Sequence, residues 1–477
     1  MIKRKNIVVI GGGFSGMVTA YFASKIFKKD QVILIEKNNF LGGLYNSVSF
    51  KNKFFFDHGM HLFYQCKNKV INNFFFKLLK KKNWIILKGV KKDIAGVFYK
   101  GNLKTNSPYI DLNHINDKEK SSLMKDIYSN KKFKTVNYDT TKTLKEYFLK
   151  KFGNKITKKF INPIVQKFWG HDSKKIDSVA SRLILMDRIN LFSEKIMKNL
   201  IKINFLRSRL SYPNQLKLPK KYQSNQKYGL YPRKFGMFNV IRKFEKILKK
   251  SNIKVFLDTS LDSFFISKNR INKILISKKS GKLKIDNISN IFWTVPIFGL
   301  IPLLQIKLKN LKFDKNKKQV FVYFLSKERP KMGGNYYFMC FDNNFATFRV
   351  TSYFEYCKNS KISNKYYPLC MELHFKNDDN VLDYKKIALK ELSKFNIFDN
   401  MSSIKHVFLE SATGFFPTMT LKNTSYLKRI KNKINNLNLK NLFLASQSPE
   451  RGIFFMHDVL DQNINLLYKL KDGRIEN

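Results

Sequence analysis

Residues 11–16 read Gly-Gly-Gly-Phe-Ser-Gly, between the apolar run Ile7-Val8-Val9-Ile10 and the small-residue stretch Met17-Val18-Thr19-Ala20. Gly11, Gly13 and Gly16 match the spacing G-x-G-x-x-G, a pattern too short to mean much alone. Its flanks give it meaning. Lys5-Asn6-Ile7-Val8-Val9-Ile10 reads as a buried strand, residues 14–28 as a helix, and Gln31-Val32-Ile33-Leu34-Ile35 as a second strand ending on Glu36, 20 positions after Gly16. That order of strand, glycine turn, helix, strand and acid is the layout of a dinucleotide-binding unit. Gly11 lets the chain turn sharply, Gly13 lets the backbone approach a pyrophosphate, and Gly16 lets helix and strand pack closely. The phosphates would sit at the positive end of the helix. Glu36 would accept hydrogen bonds from the adenosine ribose and repel a 2′-phosphate, which favours FAD or NAD over NADP. A glycine turn with no ligand would need all three flanking features to coincide. Lys3-Arg4-Lys5 before an apolar run also imitates a signal peptide, but the glycines end the run after four residues and no cleavage site follows.

The 477 residues can bury large cores and hold a pocket between domains. The four cysteines, Cys66, Cys340, Cys357 and Cys370, form no C-x-x-C pair and no zinc-spaced cluster with histidine, so reduced structural thiols in a cytoplasmic setting and no metal are expected. The net charge of +57 would ordinarily suggest nucleic acid or an anionic membrane. The lysines are spread along the chain beside abundant Asn, Ile, Phe and Tyr, the pattern of an AT-rich genome. No arginine-rich arm, zinc finger or RNA-binding aromatic signature accompanies them, so no specific nucleic-acid partner is expected. Loose peripheral attraction to anionic lipid at the inner face of the membrane is the charge's other consequence. The most apolar stretch, Ile291 to Leu304, is broken by Pro296, Gly299 and Pro302 and is too short to span a bilayer. It reads as a strand followed by an apolar loop, the alternative being a loop that dips into the membrane surface.

Beyond the first unit, Leu41-Gly42-Gly43-Leu44 places a second site of close backbone approach just after the acidic strand. Residues 54–64, FFFDHGMHLFY, form an aromatic strand pattern ending in a polar turn with two imidazoles, His58 and His61. Residues 66–225 carry mostly helical signals, with a capping box at Thr143-Leu144-Lys145-Glu146. From Tyr228 a turn, an amphipathic helix to about Leu248 and the strand Ile253 to Leu257 return the chain to a sheet, which Leu275–Lys278 and Ile291–Thr294 extend. Residues 319–376 read as β-rich, with a hairpin at Asp342-Asn343-Asn344. A strand at Asn441–Ala445 and a helix from about Phe455 to Leu470 end the chain.

With these blocks placed, the chain resembles the FAD-dependent superfamily of amine oxidases, protoporphyrinogen oxidases and phytoene desaturases, with UDP-galactopyranose mutase as a structural cousin. Gly11–Gly16 with Glu36 looks like their ADP-binding unit and Leu41–Leu44 like their glycine doublet. Tyr231-Pro232 to Leu261 looks like the segment whose aliphatic residue, here Leu261, packs near adenine. Leu442–Ala445 to Asp461 looks like the block where a helix start meets the flavin ring, which implies a cofactor contact at Asp458. Many amine oxidases carry arginines beside the doublet, where this chain has Phe40 and Leu44. Gly42-Gly43-Leu44-Tyr45-Asn46, Gly59-Met60-His61 and Phe454–Asp458 are similar to mutase sequences instead, and by that likeness His61 would lie near the flavin.

The expected fold is α/β: a discontinuous, doubly wound, Rossmann-type FAD-binding domain (residues 1–65, 226–298 and 400–477) with a mainly helical insertion at 66–225 and a β-rich substrate region at 299–399. The resemblance implies a FAD-dependent oxidoreductase taking a hydride from a small molecule at flavin N5. The alternative is a non-redox sugar mutase that uses reduced FAD N5 as nucleophile. Gly11, Gly13, Gly16, Glu36, Gly42, Gly43, Leu261 and Asp458 are the expected cofactor contacts. His61 and Arg349 are the substrate-side candidates. Arg349 sits on a predicted strand, where it would either meet an anionic group such as a diphosphate of a nucleotide sugar or a carboxylate, or stand in solvent.

Overall fold

The computed structural model describes residues 4–184, 186–308, 311–376, 383–410 and 418–474. Its organising layer is a five-stranded parallel sheet in the order Ile253–Phe256, Gln31–Ile35, Asn6–Ile10, Ile288–Trp293, Leu442–Leu444. Strands buried on both faces need apolar residues at every position, and Ile7 to Ile10 supply them. Ile7 and Val9 join the core formed with helices Phe14–Ile26 and Met456–Lys471, while Val8 and Ile10 pack on the opposite side. There a small antiparallel sheet, Ser260–Ser267, Arg270–Lys278 and Gly281–Ile285, covers the parallel sheet with Ile271, Ile274, Ile276 and Ile285. Residues Leu275–Lys278 therefore belong to this covering sheet and not to the parallel one. Helices thus cover one face of the parallel sheet, and the other carries this antiparallel sheet together with Ile430 and Ile434 of helix Leu421–Asn435, where a doubly wound fold has helices on both faces.

The second layer is a seven-stranded sheet in the order Ile404–Glu410, Lys318–Ser326, Tyr367–Phe375, Thr347–Ser352, Tyr337–Cys340, Ala95–Tyr99, Asn102–Lys104. Helix Tyr384–Lys394 packs on its outer face through Ala388 and Leu392, with Phe338, Val350, Met371 and Leu373 beneath. Three of its members fall outside the β-rich region expected from the sequence. Strand Ile404–Glu410 lies beyond residue 399, within the last segment expected for the cofactor domain, and Ala95–Tyr99 and Asn102–Lys104 lie within the expected helical insertion. Residues 411–417 and 475–477 of that last segment lie outside the described residues. Pairing of Ala95–Tyr99 in parallel with Tyr337–Cys340 joins residues more than 200 positions apart, which no local pattern announces.

The insertion itself is chiefly helical, and its expected cap is present: the Thr143 hydroxyl accepts from the Glu146 amide at 3.0 Å at the start of Leu144–Phe152. The Glu146 carboxylate reaches the Lys142 amide at 2.9 Å, one residue short of a reciprocal box. Ile288–Trp293 leads into a 3₁₀ turn at Ile297–Gly299 and a short helix at Leu300–Leu303, where Leu300 and Leu304 are buried and Phe298 is exposed. Among the described residues no helix is long and apolar enough to cross a membrane.

Candidate cofactor and substrate site

The glycine turn is built as its spacing requires. Gly11 adopts φ +105°, a conformation that L side chains rarely enter, and a Cβ there would strike Val295 at 2.4 Å. At Gly16 a Cβ would come within 1.9 Å of the Gly11 carbonyl oxygen, so helix and turn touch only because that atom is missing. Gly13 differs. Its backbone is ordinary, φ −62° and ψ 169°, and a Cβ there would meet nothing within 4 Å. It caps helix Phe14–Ile26 and faces open space, the layout of an anion cradle at a helix N-terminus. Gly42, at φ +102°, donates its amide to the Gly12 carbonyl at 2.8 Å and bridges to Gly13, which brings the doublet against the turn.

Glu36 braces the same loop. Its carboxylate accepts the Gly12 amide at 2.6 Å and the Asn38 amide at 2.9 Å. Each oxygen keeps a lone pair for a ligand, and Glu36 lines a cavity of about 2400 Å³ that also takes in Gly11, Gly13, Gly42 and Gly43. Leu261, on the first strand of the covering sheet, lines it near Glu36, whose carbonyl accepts the Thr259 amide at 3.0 Å. Small-molecule pockets are usually of about 300–1,000 Å³; this cavity exceeds that range, with space beyond the glycine turn.

That space runs under the seven-stranded sheet. Tyr337, Met339, Arg349 and Glu372 face it, while Phe338 and Val350 point to the opposite core, the alternation of a half-buried strand; Phe348 faces it too because a register shift between Thr347 and Arg349 breaks that alternation. Arg349 and Glu372 are cross-strand partners, and the guanidinium Nε donates to the carboxylate at 2.5 Å. Burial alone would push the guanidinium pKa down, but Glu372 holds it above its ordinary value. Arg349 is thus a paired arginine at the cavity wall, and the solvent-exposed alternative is overturned. Gly59, at φ +65°, makes the pair possible: a Cβ there would lie 2.3 Å from Glu372 Oε1.

His61 lines the cavity with its ring 5.0 Å from that of Tyr45. Burial, then the nearby charges of His58 and Arg349, lower its pKa to about 3, so the imidazole is neutral, and its Nδ1 is buried without a partner. His58 behaves oppositely. Burial disfavours its charge, but Glu410 at 3.4 Å and the neighbouring Asp57 raise its pKa. Asp57 is structural: it accepts from the Tyr231 hydroxyl at 2.6 Å and the Met237 amide at 2.8 Å, tying this turn to the start of helix Phe238–Lys249.

Asp458 is placed differently from expectation. Its neighbours Met456, His457, Val459 and Leu460 line the cavity, but its own carboxylate pairs with Arg182 at 3.0 Å. In the first turn of a helix successive residues point in different directions, and only some reach the cavity. Arg182, which no sequence motif marks, lines the cavity itself, also donates to the Gly452 carbonyl, and lies 5.6 Å from the Phe455 ring. Asp93, Glu372 and Lys92 are further cavity residues without a sequence signal.

Residues 9–78 match a family model described as an NAD(P)-binding Rossmann-like domain. No curated protein matches the sequence. Among solved structures, a putative protoporphyrinogen oxidase from Exiguobacterium sp. aligns over 99% of this chain and 100% of its own, with a TM-score of 0.69 and 14% identity. A reduced UDP-galactopyranose mutase aligns over 99% and 96%, with a TM-score of 0.70 and 13% identity. A putrescine oxidase with a redesigned cofactor site aligns over 98% of both chains, with a TM-score of 0.59 and 9% identity. The chain has their fold. The Rossmann-type reading of residues 6–36 and the two-layer architecture are thereby established; at these identities the likeness carries nothing about substrate.

Proposed function

We propose that the chain is a FAD-dependent oxidoreductase acting by hydride transfer on a small-molecule substrate. The observation that carries this is one continuous cavity running from the Gly13 cradle to the wall of His61 and Arg349. The residues fit the cofactor: Gly13 leaves open the volume a pyrophosphate needs, Glu36 has acceptor capacity for ribose hydroxyls, and Leu261 offers an apolar face for adenine. Gly42 and Gly43 keep side chains out of the path between them. FAD, when bound, supplies a ring nitrogen that takes a hydride from a C–H bond. The protein's part is to orient the substrate beneath the seven-stranded sheet and keep water out, with the neutral His61 offering a hydrogen bond without adding charge.

A second reading is a non-redox sugar mutase, supported by the placement of His61 of the Gly59-Met60-His61 turn in the cavity wall. Redox state separates the two. Under anaerobic conditions, loss of the oxidised flavin's visible absorbance on adding a substrate from a panel of alcohols, amines and sugars is the expected result. Turnover of a nucleotide sugar only after dithionite reduction, with no net oxidation, would overturn the oxidoreductase reading in favour of the mutase.

A further inference from the structure

The most apolar stretch of the chain, Ile291 to Leu304, ends in a loop that two leucines pin down. Leu300 and Leu304, one helical turn apart, are buried in the core between the parallel sheet and its antiparallel cover. With these held inward, Pro296, Phe298 and Pro302 are left outside, Phe298 with 44% of its surface exposed. The Phe298 ring meets that of Phe313 at 5.3 Å, and Phe313 meets Tyr426 of helix Leu421–Asn435 at 5.2 Å, so loop and helix present one aromatic strip. Singly exposed apolar side chains are ordinary; a contiguous strip marks a contact surface. Phe298, Pro302 and Phe313 also line the cavity, which places the strip at one of its openings.

The charge around the strip has one sign. Helix Leu421–Asn435 carries Lys422, Lys428, Arg429, Lys431 and Lys433 and no acid. Lys422, Tyr426, Arg429 and Lys433 recur at helical spacing along one face, while Ile430 and Ile434 turn to the core. The Lys433 ammonium donates to the Lys307 carbonyl at 2.9 Å and joins this helix to the loop, where Lys307 and Lys312 are exposed. Asp314 is the only acid between Ile291 and Lys318, and it is already held by the Thr420 hydroxyl at 2.7 Å and by Lys422 at 3.2 Å.

An aromatic strip rimmed by cations needs a partner that is apolar at the centre and anionic at the edge. A bilayer surface is such a partner, with rings at the acyl boundary and Lys and Arg at the head groups. A nucleic acid would leave Phe298 and Pro302 without an apolar contact, and a second copy of the chain would bring like charge against like. We propose that Phe298, Pro302 and Phe313, with the Lys422, Tyr426, Arg429 and Lys433 face of the helix, form a docking surface for an anionic lipid bilayer. One opening of the cavity then faces lipid. The surface is independent of the reaction proposed above.

The full chain, sedimented with vesicles, tests this. It should bind vesicles of phosphatidylcholine and phosphatidylglycerol in equal parts more tightly than vesicles of phosphatidylcholine alone. Phe298→Asp should lower binding to the mixed vesicles about tenfold or more, while Ile203→Asp, at a residue 50% exposed outside this surface, should stay within about twofold of the unaltered chain. Both variants change the net charge equally, so attraction to the overall charge of the chain moves them alike. Arg429→Glu against Lys198→Glu makes the same comparison should Phe298→Asp not fold. Added FAD should leave vesicle binding unchanged; its loss would show that Phe298 faces the cofactor and would overturn the proposal. Equal losses within a pair of variants, or no binding to the mixed vesicles, would also overturn it. A larger loss of duplex DNA binding than of vesicle binding in Phe298→Asp would mark a nucleic-acid surface instead.

Discussion

Gly13 and Gly16 sit three residues apart in one turn, yet they should fail in opposite ways. At Gly13 the backbone is in a region open to any residue and an added Cβ meets nothing within 4 Å. Gly13→Ala should therefore leave the cofactor-free protein as stable as before, or more stable by about 0.4–1 kcal/mol through a less flexible unfolded chain. Gly13→Val places two further methyl groups where the pyrophosphate would lie and should weaken FAD binding by at least about 100-fold, on the order of 3 kcal/mol. At Gly16 the Cβ would sit 1.9 Å from a backbone oxygen, which cannot rotate away. Gly16→Ala should cost about 1–3 kcal/mol in overpacking, with or without FAD. Urea unfolding of the cofactor-free variants measures the first quantity and FAD titration followed by flavin fluorescence the second. Wild-type FAD affinity in Gly13→Val, or destabilisation of cofactor-free Gly13→Ala as large as that of Gly16→Ala, would refute the assignment of Gly13 to a ligand and Gly16 to packing.

Two further outcomes follow from the cavity wall. The folded-state pKa of His61 is lowered to about 3, so the unfolded chain binds its proton first. His61 should then erode stability as pH falls below about 6.5, by up to about 2 kcal/mol at pH 5; urea midpoints of the wild type and His61→Gln at pH 7 and pH 5 check this, and equal pH dependence would contradict it. Gly59→Ala combines a φ of +65° with a Cβ 2.3 Å from Glu372 Oε1. It should destabilise the protein by about 1–3 kcal/mol and displace the Arg349–Glu372 pair, and unchanged urea stability would show that the turn has slack.

Legibility from sequence followed the range of the interactions. The unit from Asn6 to Glu36 could be read because its strand, turn, helix and acid are consecutive, and Glu36 even reaches back to the loop that announces it. The glycine doublet and the hairpin at Asp342-Asn343-Asn344 were readable for the same reason. Arg349 could be singled out as a charge on an apolar strand, but its pairing with Glu372 depends on strand register, which a single sequence does not specify. Asp93 gave no signal at all: it enters the cavity because Ala95–Tyr99 pairs with Tyr337–Cys340 across a long separation in sequence. Asp458 shows the limit of resemblance, since the helix start lines the cavity while that side chain turns to Arg182.

The central claim is that the cavity holds FAD. Chain purified without added flavin, heated and clarified, should release a yellow compound that co-migrates with FAD on chromatography, at about one molecule per chain. A colourless protein that also binds no added FAD by titration would contradict the account.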